Sequence, residues 1–216
     1  MPSVAEINYL HRRYRVPRHK AFACPNWIDT ERFQPMPEAE KQPRRVAFVG
    51  RFHAQKDPLV LLEALRGLPD VELLMIGGGP MKPQIEARVA ELGLHATLLD
   101  RVSNEDLPRY LSSCALYALP TRYEGGSPKT LLEAMACGLP VICTDAFGAN
   151  EAFEDGQHGV KIAVGDVAGL RAALQRLLDD PQTAQAMGQR ARHHVLDQFS
   201  IERALQRELD VLAFAS

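Results

Sequence analysis

"YEGGSPKTLLEAMACGLPVI", residues 123–142, reads as a turn, a helix, a break and a strand in unbroken succession. Gly125 and Gly126 free the backbone, Ser127 is a capping residue type, and Pro128 suits the first helical position, where a missing N–H is no loss. Leu131, Leu132, Ala134 and Met135 carry the helix onward until Gly138, Leu139 and Pro140 stop it, and the apolar run at 141–144 follows as a strand. That order is one repeat of an α/β sheet protein. Two carboxylates, Glu124 and Glu133, flank the turn and the helix opening, and the local pattern assigns a task to neither.

Outward from this stretch the alternation recurs. Strands are expected at 21–24, 45–50, 71–77, 96–99, 115–120, 141–144 and 160–164, with helical periodicity between them, which predicts an α/β fold built on a parallel sheet with helices on both faces. Asp57 followed by Pro58 opens a helix reaching about Gly67, and residues 83–92 form another that ends at Gly93. Ser103 with Asp106 resembles a capping box for a helix reaching Ser113. From Asp166 onward the pattern is wholly helical. The proline-rich, charged stretch at 34–43 reads as an exposed loop.

Composition bounds the function. The 216 residues carry a net charge of -2, 46% apolar and 24% charged residues, an ordinary soluble balance without the basic excess that grips nucleic acid. Four cysteines lack the spacing of a zinc or disulfide framework and read as reduced thiols, which fits the cytoplasm. No apolar run approaches the roughly 20 residues that span a bilayer. The basic end of the first helix, residues 11–20, reads either as a patch for a membrane surface or partner, or as a solvated helix end. His193 and His194 read as a surface pair and His158 as a turn residue.

In an open parallel sheet, ligands gather where strands end and helices begin. Arg51 and Lys56 stand on one such loop, "GRFHAQKDP", and two cations there suit a diphosphate, although solvated surface charges would look the same. "GGGP" at 77–80 lets the backbone approach something closely, either a nucleotide or its own fold in a tight turn. The turn at 125–128 aims helix N–H groups at the cleft with the positive end of the helix dipole behind them, an anion pocket. Glu133 projects from the first half of that helix and reads as an acceptor for a vicinal diol or as a solvated helix residue. Glu124 reads by itself as a loop carboxylate.

"PNWIDTERF", "GRFHAQKDPLVLLEAL", "MIGGGPMKPQIEARVAELGL", "RVSNEDLPRYLSSCALYALPTRYEGG" and "SPKTLLEAMACGLPVICTDAFGANEAFEDGQHGVKI" resemble, in this order and spacing, the donor-binding C-terminal half of a retaining glycosyltransferase of the GT-B fold, group 1 (GT4). The resemblance runs from about Cys24 to the C-terminus. It implies a Rossmann-like domain and a glycosyltransferase of hexosyltransferase type. In it Arg51 and Lys56 hold the diphosphate of a UDP-, GDP- or ADP-sugar, and Glu124 faces the donor sugar as part of the catalytic set. Gly125, Gly126 and Ser127 touch sugar and phosphate through the main chain, with Gly50, Pro128, Lys129 and Thr130 in the same donor-binding group. Glu133 holds the ribose, and the backbone of Val102 meets the base. No metal or other cofactor is expected, because no DxD is present and the two cations take that work.

Two departures from the family pattern stand out. Eight residues separate Glu124 from Glu133 where seven are usual, and Trp27 stands where a glycine is usual. The resemblance further implies three parts: an N-terminal helical extension at 1–20, the remnant of a preceding domain; a nucleotide-sugar-binding domain at 21–199; and a C-terminal helix at 200–216. The acceptor, a sugar or a lipid-linked sugar, would bind a missing N-terminal domain, so the chain alone is expected to bind donor without efficient transfer. The expected location is the cytoplasm, free or peripheral at the inner face of the membrane. Two other functions compete: a sugar-nucleotide-binding subunit with a separate acceptor-binding partner, and a GT-B sugar-nucleotide epimerase.

Overall fold

The computed structural model describes residues 4–17 and 20–215. Six strands, β1 (Arg45–Val49), β2 (Glu72–Ile76), β3 (His95–Leu99), β4 (Leu116–Leu119), β5 (Val141–Thr144) and β6 (Gly159–Ile162), form one sheet in the order β3-β2-β1-β4-β5-β6. All pairings are parallel, with Val46 of the central β1 opposite Leu73 on one side and Leu116 on the other. β4 and β5 are buried along their whole length, which is why they read as unbroken apolar runs rather than alternating ones. The edge strand β3 is only partly covered.

Chain direction across the sheet reverses between β1 and β4, and right-handed crossovers then send the connecting helices to opposite faces. α2 (Pro58–Leu65) packs with α3 (Lys82–Leu92), and α4 (Leu107–Ser112) packs with α5 (Lys129–Ala136). α6 (Val167–Asp179) lies against α2, and α7 (Pro181–Phe199) against α5. α7 comes so close to the end of α5 that a Cβ on Gly188 would fall on the Gly138 carbonyl oxygen, and Arg192 reaches across to the carbonyls of Ala136 and Phe33.

Several local signals act as their chemistry predicts. Gly93 caps α3 in the left-handed conformation at φ 63°, and the Ser103 hydroxyl accepts from the Asp106 N–H (3.1 Å) while donating to its carboxylate (2.6 Å). Others act differently. α5 begins one residue later than the capping pattern predicts, with Pro128 in extended conformation as its flanking residue and no side-chain cap from Ser127. Asp57 precedes α2 but gives its carboxylate to Arg122 (2.8 Å) instead of to the helix. The run expected as a strand at 21–24 is irregular; it leads to Ile28, whose N–H donates to the Phe199 carbonyl (2.8 Å).

The four cysteines are free, and burial pushes the Cys114, Cys137 and Cys143 thiols up to about 12, leaving them inert. His194 does not sit at the surface beside His193: its ring is half-buried and stacks on that of His158 at 4.3 Å. α1 (Val4–Tyr14) precedes the sheet, with Tyr9 and Tyr14 exposed and in edge contact; the sequence further predicts a capping box of Ser3 with Glu6 at its start, and Ser3 lies outside the described residues. α8 (Ile201–Ala215) leans on α7 and leaves Leu205, Leu209 and Leu212 exposed in a row. No helix among the described residues is long and apolar enough to cross a membrane.

Candidate functional site

At the reversal point the C-terminal ends of β1 and β2 and the segment after β3 open onto a cavity of about 460 Å³. The end of β1 and the loop after it contribute Val49, Gly50 and Arg51; the end of β2 and the loop after it contribute Ile76, Gly77 and Gly78; the 101–107 segment contributes Arg101, Val102, Asn104 and Leu107. α5 closes the wall with Thr130 and Glu133. Of the residues expected from sequence, Gly50, Arg51, Val102, Thr130 and Glu133 therefore share one cavity.

Two walls of the cavity are locked together by the glycines of "GGGP". Gly77 at φ 144° and Gly79 at φ 150° hold conformations that side chains rarely adopt. A Cβ on Gly77 would strike the Gly50 carbonyl oxygen, and one on Gly79 would lie 2.5 Å from the Phe52 carbonyl oxygen. Hydrogen bonds from Gly50 N–H to the Ile76 carbonyl (3.0 Å) and from Phe52 N–H to the Gly78 carbonyl (2.8 Å) hold the loops in that contact. The close approach read from the glycines is thus made at Gly77 and Gly79 to the neighbouring loop of the fold.

Glu133 is a carboxylate on the cavity wall and is buried, with 9% of its surface exposed. Burial raises its carboxyl to about 7, against which the nearby Lys129 ammonium pulls only weakly. Among the described residues it has no salt-bridge partner. The Lys129 ammonium instead sits over the Trp27 ring, 5.0 Å from its centre. Thr130 is held by the buried Tyr117, whose hydroxyl lies 2.9 Å from Thr130 Oγ1 and 3.2 Å from the Val49 carbonyl oxygen.

The remaining expected residues lie beside this cavity. Lys56 Nζ is 2.6 Å from Glu124 Oε1, in a pair whose side chains are 12% and 9% exposed. The two cations of the "GRFHAQKDP" loop are thereby separated: Arg51 faces the cavity and bonds Gln55 Oε1 (3.2 Å), while Lys56 turns to Glu124. Gly125 is exposed, Gly126 is half-buried, and Ser127 is buried with its carbonyl accepting from Asn26 Nδ2 (2.7 Å). A Cβ on Gly148, at φ 79°, would lie on the Glu124 carbonyl oxygen and 2.8 Å from Gly126 N. The Glu124 N–H donates to the Phe147 carbonyl (2.8 Å), so the loop after β5 props up the turn.

Sequence reading missed Gln55, which ties the two loops through its side chain to the Tyr123 carbonyl (2.9 Å) and through its own carbonyl to the Arg122 N–H (2.8 Å). It also missed Arg101 and Asn104 on the cavity wall. The only available signal was position: Gln55 lies between two singled-out cations, and Arg101 and Asn104 flank Val102 and Ser103.

The sequence matches the family of glycosyl transferases group 1 over residues 29–194. It is 32% identical over 194 residues to a GDP-mannose-dependent alpha-(1-6)-phosphatidylinositol monomannoside mannosyltransferase of Mycolicibacterium smegmatis, covering 80% of this chain and 51% of that protein. It is 32% identical over 152 residues to alpha-D-kanosaminyltransferase of Streptomyces kanamyceticus, covering 68% and 39%. Among solved structures, sucrose-phosphate synthase from Thermosynechococcus elongatus superposes with a TM-score of 0.87 at 29% identity, covering 100% of this chain and 58% of that one. Anabaena HepE in complex with UDP-glucose does so with a TM-score of 0.87 at 20% identity, covering 98% and 62%. The chain spans about half the length of the curated relatives it matches.

Proposed function

The chain belongs to the glycosyl transferases group 1 family, and on that footing we propose that it is the part of a retaining glycosyltransferase that binds the nucleotide sugar, without a divalent metal on the diphosphate. The observation that carries the reading is Glu133: a buried carboxylate on a cavity wall, raised to about 7 and without a salt bridge among the described residues, is suited to accept both hydroxyls of a ribose diol. Its position supports an arrangement in which the base lies toward Val102 and the diphosphate toward Arg51 and the turn at 125–127.

On this reading, transfer breaks the bond between the sugar's anomeric carbon and the diphosphate oxygen. Negative charge grows on the leaving diphosphate and is met by Arg51, by Lys56 and by the free N–H groups at the start of α5, each well-placed donor contributing on the order of 3 kcal/mol. The acceptor hydroxyl must be held against the sugar in a closed cleft, a separate requirement worth several kcal/mol, for which the remaining half of the relatives' length is the natural source.

A thermal-shift panel of UDP-, GDP- and ADP-sugars, followed by calorimetry and a turnover assay on the 216-residue chain, tests the proposal. The expected result is binding of at least one donor, at roughly high-micromolar to millimolar Kd, without efficient transfer. Failure to bind any of them would remove the donor-site reading, and rapid saturable transfer by the chain alone would show that its cleft is complete.

A further inference from the structure

The Lys56–Glu124 pair, beside the cavity, is the most enclosed ion pair among the described residues. It joins residues 68 positions apart, its N–O distance is 2.6 Å, and both side chains are almost wholly enclosed. Among the described residues neither partner has a second salt bridge. Arg51 is engaged by Gln55, Arg122 by Asp57, and Lys129 sits over Trp27. The backbone around the pair is braced from both sides, by Gln55 to the Tyr123 carbonyl and by Glu124 N–H to the Phe147 carbonyl. Neither loop can relax without breaking these ties.

A cation in a desolvated pair is not free to serve an arriving anion. The ligand must take Lys56 away from Glu124 and leave the carboxylate either solvated or paired anew, so part of the attraction for phosphate is offset before binding begins. Glu124, which holds the ammonium, is followed directly in the chain by the turn at 125–127, where the donor-site reading seats a phosphate.

We propose that Glu124 is a positioning and specificity-determining residue that acts through Lys56: it holds the ammonium in the empty site and releases it only to a ligand bringing diphosphate charge. The inference rests on the donor-site reading above. Without Glu124 the ammonium is already available, so nucleoside diphosphate binds more tightly, and the site discriminates less sharply by charge.

The test is calorimetry of UDP, GDP and ADP, with uridine, guanosine and adenosine as phosphate-free controls. Four proteins are compared: the wild-type chain, Glu124→Gln, Lys56→Met and the double variant. Glu124→Gln is expected to tighten the best-binding diphosphate by about three- to tenfold and to leave the nucleosides unchanged. In the Lys56→Met background the same glutamine substitution is expected to change nothing. Unchanged or weaker diphosphate binding by Glu124→Gln overturns the inference. Equal tightening in both backgrounds overturns it too, because simple repulsion between Glu124 and phosphate would then suffice. Absence of diphosphate binding by all four proteins removes the donor-site reading and this inference with it. Should a variant fail to fold, the Lys56 side-chain NMR signal of the wild-type chain decides: it must move on adding the diphosphate and stay in place with the nucleoside.

Discussion

Lys56 and Glu124 meet at 2.6 Å in an enclosed salt bridge that ties the loop after β1 to the loop after β4. Breaking one side leaves a buried charge without its partner. Lys56→Met alone is therefore expected to cost about 3 kcal/mol of stability, and the double change with Glu124→Gln distinctly less. Urea denaturation of the three proteins gives the comparison; equal losses for single and double variants would mean that the pair is solvated and contributes little.

Arg51 lines the cavity, and among the described residues its side chain is bonded to Gln55 alone. Charge-assisted bonds to phosphate are worth roughly 1.5–3 kcal/mol, so Arg51→Ala is expected to weaken nucleoside diphosphate binding by about tenfold or more and to spare the nucleoside. Calorimetry with both ligands checks this, and equal loss for the two would place Arg51 away from the phosphates.

Glu133 gives a pH dependence whose sign is fixed. Its folded pKa, about 7, lies above the ordinary carboxylate value of 4.5, so the folded chain binds more protons than the unfolded chain between those limits. Stability is then expected to fall as pH rises from about 4.5 to 7, by on the order of 3 kcal/mol, and to remain lowered above it. Glu133→Gln is expected to flatten this part of the profile and to raise the melting temperature at pH 8. A variant whose profile parallels the parent's would show that burial does not govern the carboxyl.

The same group links binding to proton release. A ribose diol donating to the carboxylate favours its ionised form, so ribonucleotide binding near pH 6.5 is expected to expel protons, and affinity should rise toward pH 8. Titrations in buffers of different ionisation enthalpy measure the effect. A 2′,3′-dideoxynucleotide should lack it, and so should Glu133→Gln.

Gly148→Ala tests the prop beneath the turn. The new methyl would lie on the Glu124 carbonyl oxygen and 2.8 Å from Gly126 N, so the turn must move, and donor binding should fall together with stability. Gly67 has a similar φ of 73° but no heavy atom within 4 Å of a built Cβ, so Gly67→Ala should cost only about 1 kcal/mol and leave binding intact. Similar binding defects in both would trace the effect to backbone strain rather than to the contact.

Features set by neighbours in the chain were legible before the structure. Gly93 as a left-handed cap, the Ser103–Asp106 exchange and the apolar strands under helices all follow from local chemistry. The expected family is matched over 29–194, and the parallel sheet it implies is present. What escaped was decided by distant partners. Asp57 has the right type and place to cap α2, yet Arg122, 65 residues away, takes its carboxylate. Lys56 reads as a free cation until Glu124 folds against it. The run at 21–24 has strand composition, but the sheet ends at β3 and β6 and the run joins neither edge. His194 looks superficial on its helix because nothing local announces that the 154–158 turn brings His158 onto its ring.

The contact of Gly77 and Gly79 with the β1 loop also bears on how such a cavity can diversify. Two of its walls are interlocked backbone to backbone with no space for a methyl group, so substitutions there break the scaffold before they can alter selectivity. Arg101 and Asn104, on the third wall, line the cavity from a segment beyond the last strand pairing of β3. Tolerance is therefore divided within a single pocket: a methyl group on the glycine walls displaces the backbone, whereas residues 101–104 can change the lining without that clash.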